Sequence, residues 1–164
     1  MKIIVAMTSE RVIGKDGRLP WKISEDLKLF KQLTTNQTVI MGRKTLDSII
    51  EQIGHALPNR KNVVVGRTPY REQNLYVCGS IKEAVDKANS FGTEVYVIGG
   101  ASVYGQTLPM ADEMYVSYVN KNYEGDTFFP EFNKSEWDVL KRLRSEEFEL
   151  VHYKRKKGKL NRRE

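Results

Sequence analysis

Short runs of apolar, largely β-branched residues recur along the chain with helix-like stretches between them, and this alternation limits the fold more than any other feature. The runs are IIVAM (3–7), TVIMG (38–42), NVVVG (62–66), LYVCG (75–79) and VYVIGG (95–100). Each is apolar at successive positions, as strands are when both faces of their sheet are covered. Between them lie SEDLKLFKQL from Ser24, RKTLDSII from Arg43, SIKEAVDKANSF from Ser80 and ASVYGQTL from Ala101, all with helical spacing. The pattern predicts an α/β fold around a mostly parallel sheet. It changes near the end, where MYVSYV and FELVHYKRK follow one another without a convincing helix, so antiparallel strands are expected to close one edge. No repeat, low-complexity stretch or Pro/Gly/Ser linker divides the chain, which is read as one domain.

A chain of 164 residues buries roughly 68–70% of its unfolded surface, enough for a core without metal or disulfide support. Its one cysteine, Cys78, forms no internal disulfide, and with His55 and His152 it makes no structural zinc set, so no metal is expected and the cytoplasm is the expected compartment. The apolar opening run is shorter than a signal-peptide core and far shorter than a membrane span, so neither export nor a membrane partner is expected. The net charge of +6 sits in residues 154–164, KRKKGKLNRRE, with seven basic residues and one acidic; the rest carries 20 of each sign. Such a terminal run is expected to be solvated and poorly ordered; the rival reading is a nucleic-acid-binding arm, whose affinity would fall steeply with salt and vanish on deleting residues 154–164.

Local departures from pattern mark candidate functional residues. Ser24 is a good N-cap, and the helix after it places Leu27, Phe30 and Leu33 on a core stripe with Asp26 on the same face. Asp26 either complements the helix dipole and points to water, or sits in an apolar pocket behind Leu19-Pro20-Trp21, where a ligand's donors must meet it. Gly99-Gly100 carries a buried strand straight into a helix; it is either a tight turn or a close approach to a ligand. Gly42-Arg43-Lys44-Thr45 puts two cations at a helix start, against the dipole, and Arg67 follows the next strand. A bound phosphate explains all three cations together; surface solubility explains each alone. Arg60, after Leu57-Pro58-Asn59, is either a solvated loop residue or a fork for a carboxylate.

Val12-Ile13-Gly14, Leu19-Pro20-Trp21, Asp26, Val39-Ile40-Met41-Gly42-Arg43-Lys44-Thr45, Leu57-Pro58-x-Arg60, Ile98-Gly99-Gly100-Ala101 and Glu124-Gly125-Asp126-Thr127 together resemble the dihydrofolate reductase family, over residues 1–157 and in the family's order. The resemblance implies a single-domain fold with a central eight-stranded, mostly parallel sheet, an antiparallel C-terminal edge and four flanking helices. It leaves 158–164 as a basic tail without a counterpart. It also implies an NADPH-dependent enzyme that passes hydride to C6 of 7,8-dihydrofolate while N5 is protonated, supplying one-carbon and thymidylate metabolism. Antifolates such as methotrexate or trimethoprim would be ligands, and the chain would act as a monomer.

Residue by residue, the resemblance makes Asp26 the acid that accepts hydrogen bonds from the pterin and assists N5 protonation through water. Trp21 would order that water, and Leu19 would stand on a mobile loop over the nicotinamide. Ile4, Val5, Leu27, Phe30, Ile49 and Leu57 would line the pterin and benzoyl pocket, Ser117 would bond Asp26, and Arg60 would grip the glutamate α-carboxylate. Ala6 and Ile98 would touch the nicotinamide side, with Ile13 and Gly14 close by. Gly99 and Gly100 match a pair joined by a cis peptide. Thr45, with Ala101, Ser102, Val103 and Tyr104, would hold the pyrophosphate, and Arg43, Lys44 and Arg67, beside Gly66, would meet the 2′-phosphate.

Three positions depart from the family pattern. Ser117 replaces a usual Thr, Asn59 replaces a common Gly, and IIEQIGHA (49–56) is longer than in many relatives, leaving Ile50 and Ile53 unassigned. A pyrimidine or pterin reductase of the riboflavin-synthesis type is the alternative within the same fold. It would not be expected to keep both Leu-Pro-Trp and Asp26.

Overall fold

The structure is a computed structural model and describes residues 1–158. In chain order the elements are β1 (Lys2–Met7), β2 (Val12–Gly14), α1 (Ser24–Thr34), β3 (Thr38–Gly42), α2 (Arg43–Ile53), β4 (Lys61–Val65) and β5 (Leu75–Cys78). Then come α3 (Ile81–Asn89), β6 (Val95–Gly99), α4 (Ala101–Thr107), β7 (Glu113–Val119), β8 (Thr127–Phe128), β9 (Trp137–Arg144) and β10 (Phe148–Arg155). Eight strands form one sheet in the order β5-β4-β3-β6-β1-β7-β10-β9, and β2 pairs with β8 in a separate ribbon. The pairs from β5 to β7 are parallel; β10 runs antiparallel to both its neighbours.

The doubly apolar runs are buried as their sequences require. Val39, Ile40, Met41, Val63, Val64 and Val97 have no accessible surface, and each such side chain contributes about 1.5–3 kcal/mol by leaving water. Residues from α1 and α2 (Leu33, Ile49, Ile50) pack with Val39, Met41 and Val64 on one face, whereas α3 and α4 (Ala84, Ala88, Val103, Tyr104) pack with Ile40, Val63 and Val97 on the other. The chain leaves β1 toward one face and β6 toward the other, and these strands are neighbours. Their carboxyl ends therefore border the crevice where ligands collect in open α/β sheets.

Three expectations need correction. Ser24 does not cap α1: the N-cap position is Ile23, with no side-chain hydrogen bond, because Ile23 is pinned in a buried cluster with Trp21, Val119 and Phe148. Tertiary packing here overrides capping preference. The core stripe on α1 is also incomplete. Leu27 is 48% exposed, and Thr34 is the one fully buried residue of the helix, because a helix bordering a cleft has no partner along part of its length. The basic run 154–164 begins inside the sheet: Lys154 and Arg155 belong to β10, and the Arg155 guanidinium lies 4.2 Å from the Trp137 ring centre. Of the expected tail, residues 159–164 lie outside the described residues.

Candidate active site

Asp26 is half-buried on α1, and its Oδ1 accepts a hydrogen bond from Ser117 Oγ at 2.5 Å. Strand register delivers that hydroxyl: Ser117 lies between Ala6 on β1 and Leu150 on β10. Leu29 of α1 packs into the cluster of Trp21, Ile23, Val119 and Phe148, which presses the helix onto this part of the sheet. Burial raises the Asp26 carboxyl above the ordinary aspartate value, and the Ser117 bond offsets part of the rise. Asp26 does not simply point to water: it is partly desolvated and bonded to Ser117. Tyr104 is fully packed nearby; burial, then the Asp26 charge, drives its phenol far above the ordinary value, and its hydroxyl donates to Ile4 O at 2.7 Å.

Arg60 is not a solvated loop residue. It is 7% exposed, with Nε donating to Pro58 O at 2.8 Å and Nη1 to Thr34 Oγ1 at 3.0 Å. Burial lowers its pKa, and among the described residues no carboxylate pairs with it. Nη2 makes no hydrogen bond among the described residues, and because no buried polar side-chain atom there is left unpartnered, Nη2 reaches accessible surface. Asn59 has φ 59°, a left-handed conformation that Asn tolerates better than most residues, which accounts for its standing where Gly is common.

At the carboxyl ends of β3 and β6 the backbone is stripped of side chains. Gly99 and Gly100 are joined by a cis peptide, and a Cβ at either would lie 3.4 or 3.7 Å from Thr45 Oγ1. A Cβ on Gly42 would crowd Val103 at 3.3 Å, and one on Gly66, with φ 123°, would meet Arg43 at 3.4 Å. Arg43, Lys44 and Arg67 are all exposed around this cradle, and among the described residues the one ion pair they make, Arg43 to Asp47, is long at 3.9 Å.

Not every expected residue turns toward the cleft. Val5 is 4% exposed and packs with Ile3 and Met7 on the opposite face from Ile4 and Ala6, because side chains alternate along β1; only its backbone is available. Val103 and Tyr104 are likewise core residues, Val103 buttressing Gly42. Ile4, Ile49, Leu57 and Ile98 are partly buried against the cluster on the α1/α2 face, Ile13 packs against the other core, and Phe30 is half-buried. Ala101 is half-buried and Ser102 exposed at the start of α4. Ile50 packs against the same cluster as Ile49, whereas Ile53, the last residue of α2, is exposed.

The loop after β2 carries contacts that sequence reasoning missed. Lys15 and Arg18 close a tight turn through paired backbone bonds, and Arg18 reaches Glu51 of α2 at 2.7 Å. Asp16 N donates to the Asp126 carboxylate at 3.0 Å, the principal reason that carboxyl is lowered, and Asp126 N donates to Gly14 O at 3.1 Å. Gly125 has no room for a side chain: a Cβ would fall 2.6 Å from Gly14 O. The Glu-Gly-Asp-Thr motif was the available signal, but its partner was not readable. Trp21 is buried and Leu19 is exposed. A separate open hollow of about 480 Å³ lies at β5, lined by Tyr70, Arg71, Tyr76 and Lys87 among others, and includes none of these residues.

The family model described as dihydrofolate reductase matches residues 1–162. The chain belongs to the dihydrofolate reductase family. It is 43% identical over 141 residues to a dihydrofolate reductase of Bacillus subtilis strain 168, covering 85% of this chain and 81% of that one. With dihydrofolate reductase HdrB of Haloferax volcanii it shares 40% over 160 residues, 94% of this chain and 82% of the relative. The solved dihydrofolate reductase of Enterococcus faecalis, complexed with NADP(H) and RAB-propyl, superposes with a TM-score of 0.78 at 34% identity, covering 94% and 95% of the two chains. These matches do not favour the riboflavin-type reductase. No helix among the described residues is long and apolar enough to cross a membrane.

Proposed function

We propose that the chain reduces 7,8-dihydrofolate to 5,6,7,8-tetrahydrofolate with NADPH, adding hydride at C6 and a proton at N5, and so serves one-carbon and thymidylate metabolism. The observation that carries this reading is Asp26. A half-buried carboxylate, desolvated and held by a single hydroxyl, is costly unless a ligand offers it paired donors. The 2-amino group and N3–H of a pterin are such donors. With them bound, the carboxylate favours a proton at N5 through an intervening water, and Trp21 keeps that water in place.

Ile4, Phe30, Ile49 and Leu57 supply apolar walls, and the exposed side chain of Leu27 has surface left to give to the substrate. Arg60 binds the glutamate α-carboxylate with the N–H groups that Pro58 and Thr34 leave unused. The residues present fit NADPH: the Gly42, Gly99 and Gly100 cradle admits a backbone-hugging pyrophosphate beside Thr45, and Arg43, Lys44 and Arg67 suit a 2′-phosphate. Ala6, Gly14 and Ile98, with the backbone at Ile13, would flank the nicotinamide, and Leu19 would stand on the loop over it. When bound, the cofactor supplies the hydride. The chain acts as a cytoplasmic monomer, and antifolates such as methotrexate or trimethoprim occupy the substrate's place. The test is NADPH oxidation with dihydrofolate as the sole acceptor and methotrexate as competitor. Turnover that methotrexate abolishes supports the reading; absence of turnover overturns it.

A further inference from the structure

Trp21, given a role beside Asp26 above, is fixed in an unusual way. Among the described residues no hydrogen bond reaches its indole, so its angle is set by packing alone. Its cluster holds Ile23, Val119 and Phe148 of the buried framework, with Ala6, Leu29, Leu150 and Tyr123 partly buried against it. Of these only Tyr123 is aromatic and on a loop, the one joining β7 to β8, with its ring centre 5.3 Å from that of Trp21 and the planes inclined by 47°. Tilted aromatic pairs at this distance contribute beyond their buried area and favour one relative orientation. The placement matters because Val119, against which Trp21 packs, is two residues beyond Ser117 on the same face of β7, and Ser117 holds Asp26. Six residues beyond Ser117, the same segment meets Trp21 through Tyr123; three further on, Asp126 holds Gly14 and Asp16.

We propose that Tyr123 is a positioning residue for proton delivery: its ring sets the angle of Trp21, and through it the water that serves Asp26. The proposal rests on the role given to Trp21 above. It requires the ring and not the phenol, since among the described residues the Tyr123 hydroxyl has no hydrogen-bond partner.

The test compares Tyr123→Ala with Tyr123→Phe in the full chain labelled with 5-fluorotryptophan, which gives one fluorine signal each for Trp21 and Trp137. Tyr123→Ala is expected to shift or broaden the Trp21 signal and leave that of Trp137 unmoved. It should lower kcat for dihydrofolate about tenfold, with the KM for NADPH changed less than twofold, and displace the pH profile of kcat. Tyr123→Phe should restore all three. A Tyr123→Ala protein that melts earlier but keeps the wild-type Trp21 signal and pH profile overturns the proposal, as does a Tyr123→Phe protein as impaired as the alanine variant. If the wild type oxidises no NADPH with dihydrofolate, the functional reading fails. The fluorine signals then still decide whether Tyr123 governs Trp21, and an unmoved Trp21 signal overturns the proposal.

Discussion

The two halves of the site handle charge in opposite ways. On the proposed substrate side, Asp26 and Arg60 are partly or wholly withdrawn from water, and burial moves each toward its neutral form, Asp26 upward and Arg60 downward. On the proposed cofactor side, Arg43, Lys44 and Arg67 stand in solvent around a cradle of glycines. A buried charge is poorly screened and makes few, well-defined contacts, so it discriminates sharply and is expensive when unmet. Exposed cations act as a shared field, screened beyond about 8 Å at physiological ionic strength. Single substitutions should therefore be severe on the first side and mild on the second.

The largest effect is expected at Asp26. Asp26→Asn preserves the shape and can still accept the Ser117 bond, but a neutral amide does not favour a proton at N5. Activity with dihydrofolate at neutral pH should fall by roughly a thousandfold, within the range removed with a general acid or base, while circular dichroism shows an intact fold. Initial rates near those of the wild type would break the comparison at its strongest point. Next is Arg60→Lys, which keeps the charge and loses the planar fork. The KM for dihydrofolate should rise about 30- to 100-fold with kcat changed only a few-fold, because the contact lies far from the reacting carbon. A fall in kcat with KM unchanged would place Arg60 elsewhere in the mechanism.

These two residues also show what the sequence could and could not convey. Asp26 was legible because a carboxylate on a helix face otherwise carrying Phe30 and Leu33 violates the local pattern. Its partner Ser117 came from family resemblance alone, since 91 residues separate the two. Arg60 was legible as a candidate but not as a buried one, because burial depends on Thr34, Pro58 and the helix above. In the fold, β3, β4 and β6 were plain because both faces are buried. β9 was not: apart from Trp137, every residue of WDVLKRLR is exposed, so this edge strand has neither an apolar run nor a clean alternation. β2 and β8, three and two residues long, are held by contacts such as Asp126 N to Gly14 O. Such pairings follow from how loops meet, which local propensity does not encode. The same is true of Tyr123 against Trp21.

The cofactor side sharpens the comparison by its mildness. Arg43→Ala or Arg67→Ala alone should weaken NADPH only a few-fold, since the neighbouring cations remain. The double variant should narrow the preference for NADPH over NADH about tenfold and flatten the salt dependence of the KM for NADPH. Equal weakening with both cofactors would show that these side chains serve something other than the extra phosphate.

The smallest effect concerns stability, and it runs opposite to activity. Because burial raises the Asp26 carboxyl, the ligand-free fold favours its protonated form. The associated stability is complete below the unfolded-state value near 3.9 and is lost as pH rises through the higher folded-state value. At pH 7 the wild type therefore carries a partly desolvated negative charge, answered only in part by the Ser117 hydroxyl, that Asp26→Asn lacks. The ligand-free variant should melt a few degrees higher at pH 7, and the gap should close as the pH falls through the folded-state value. Removing Arg43 and Arg67 relieves no buried charge, and any change in melting temperature should not follow the pH range over which Asp26 titrates. A ligand-free Asp26→Asn protein that melts at or below the wild type at pH 7 would mean the carboxylate is adequately solvated without substrate, and the contrast between a costly acid and an inexpensive cationic rim would fail.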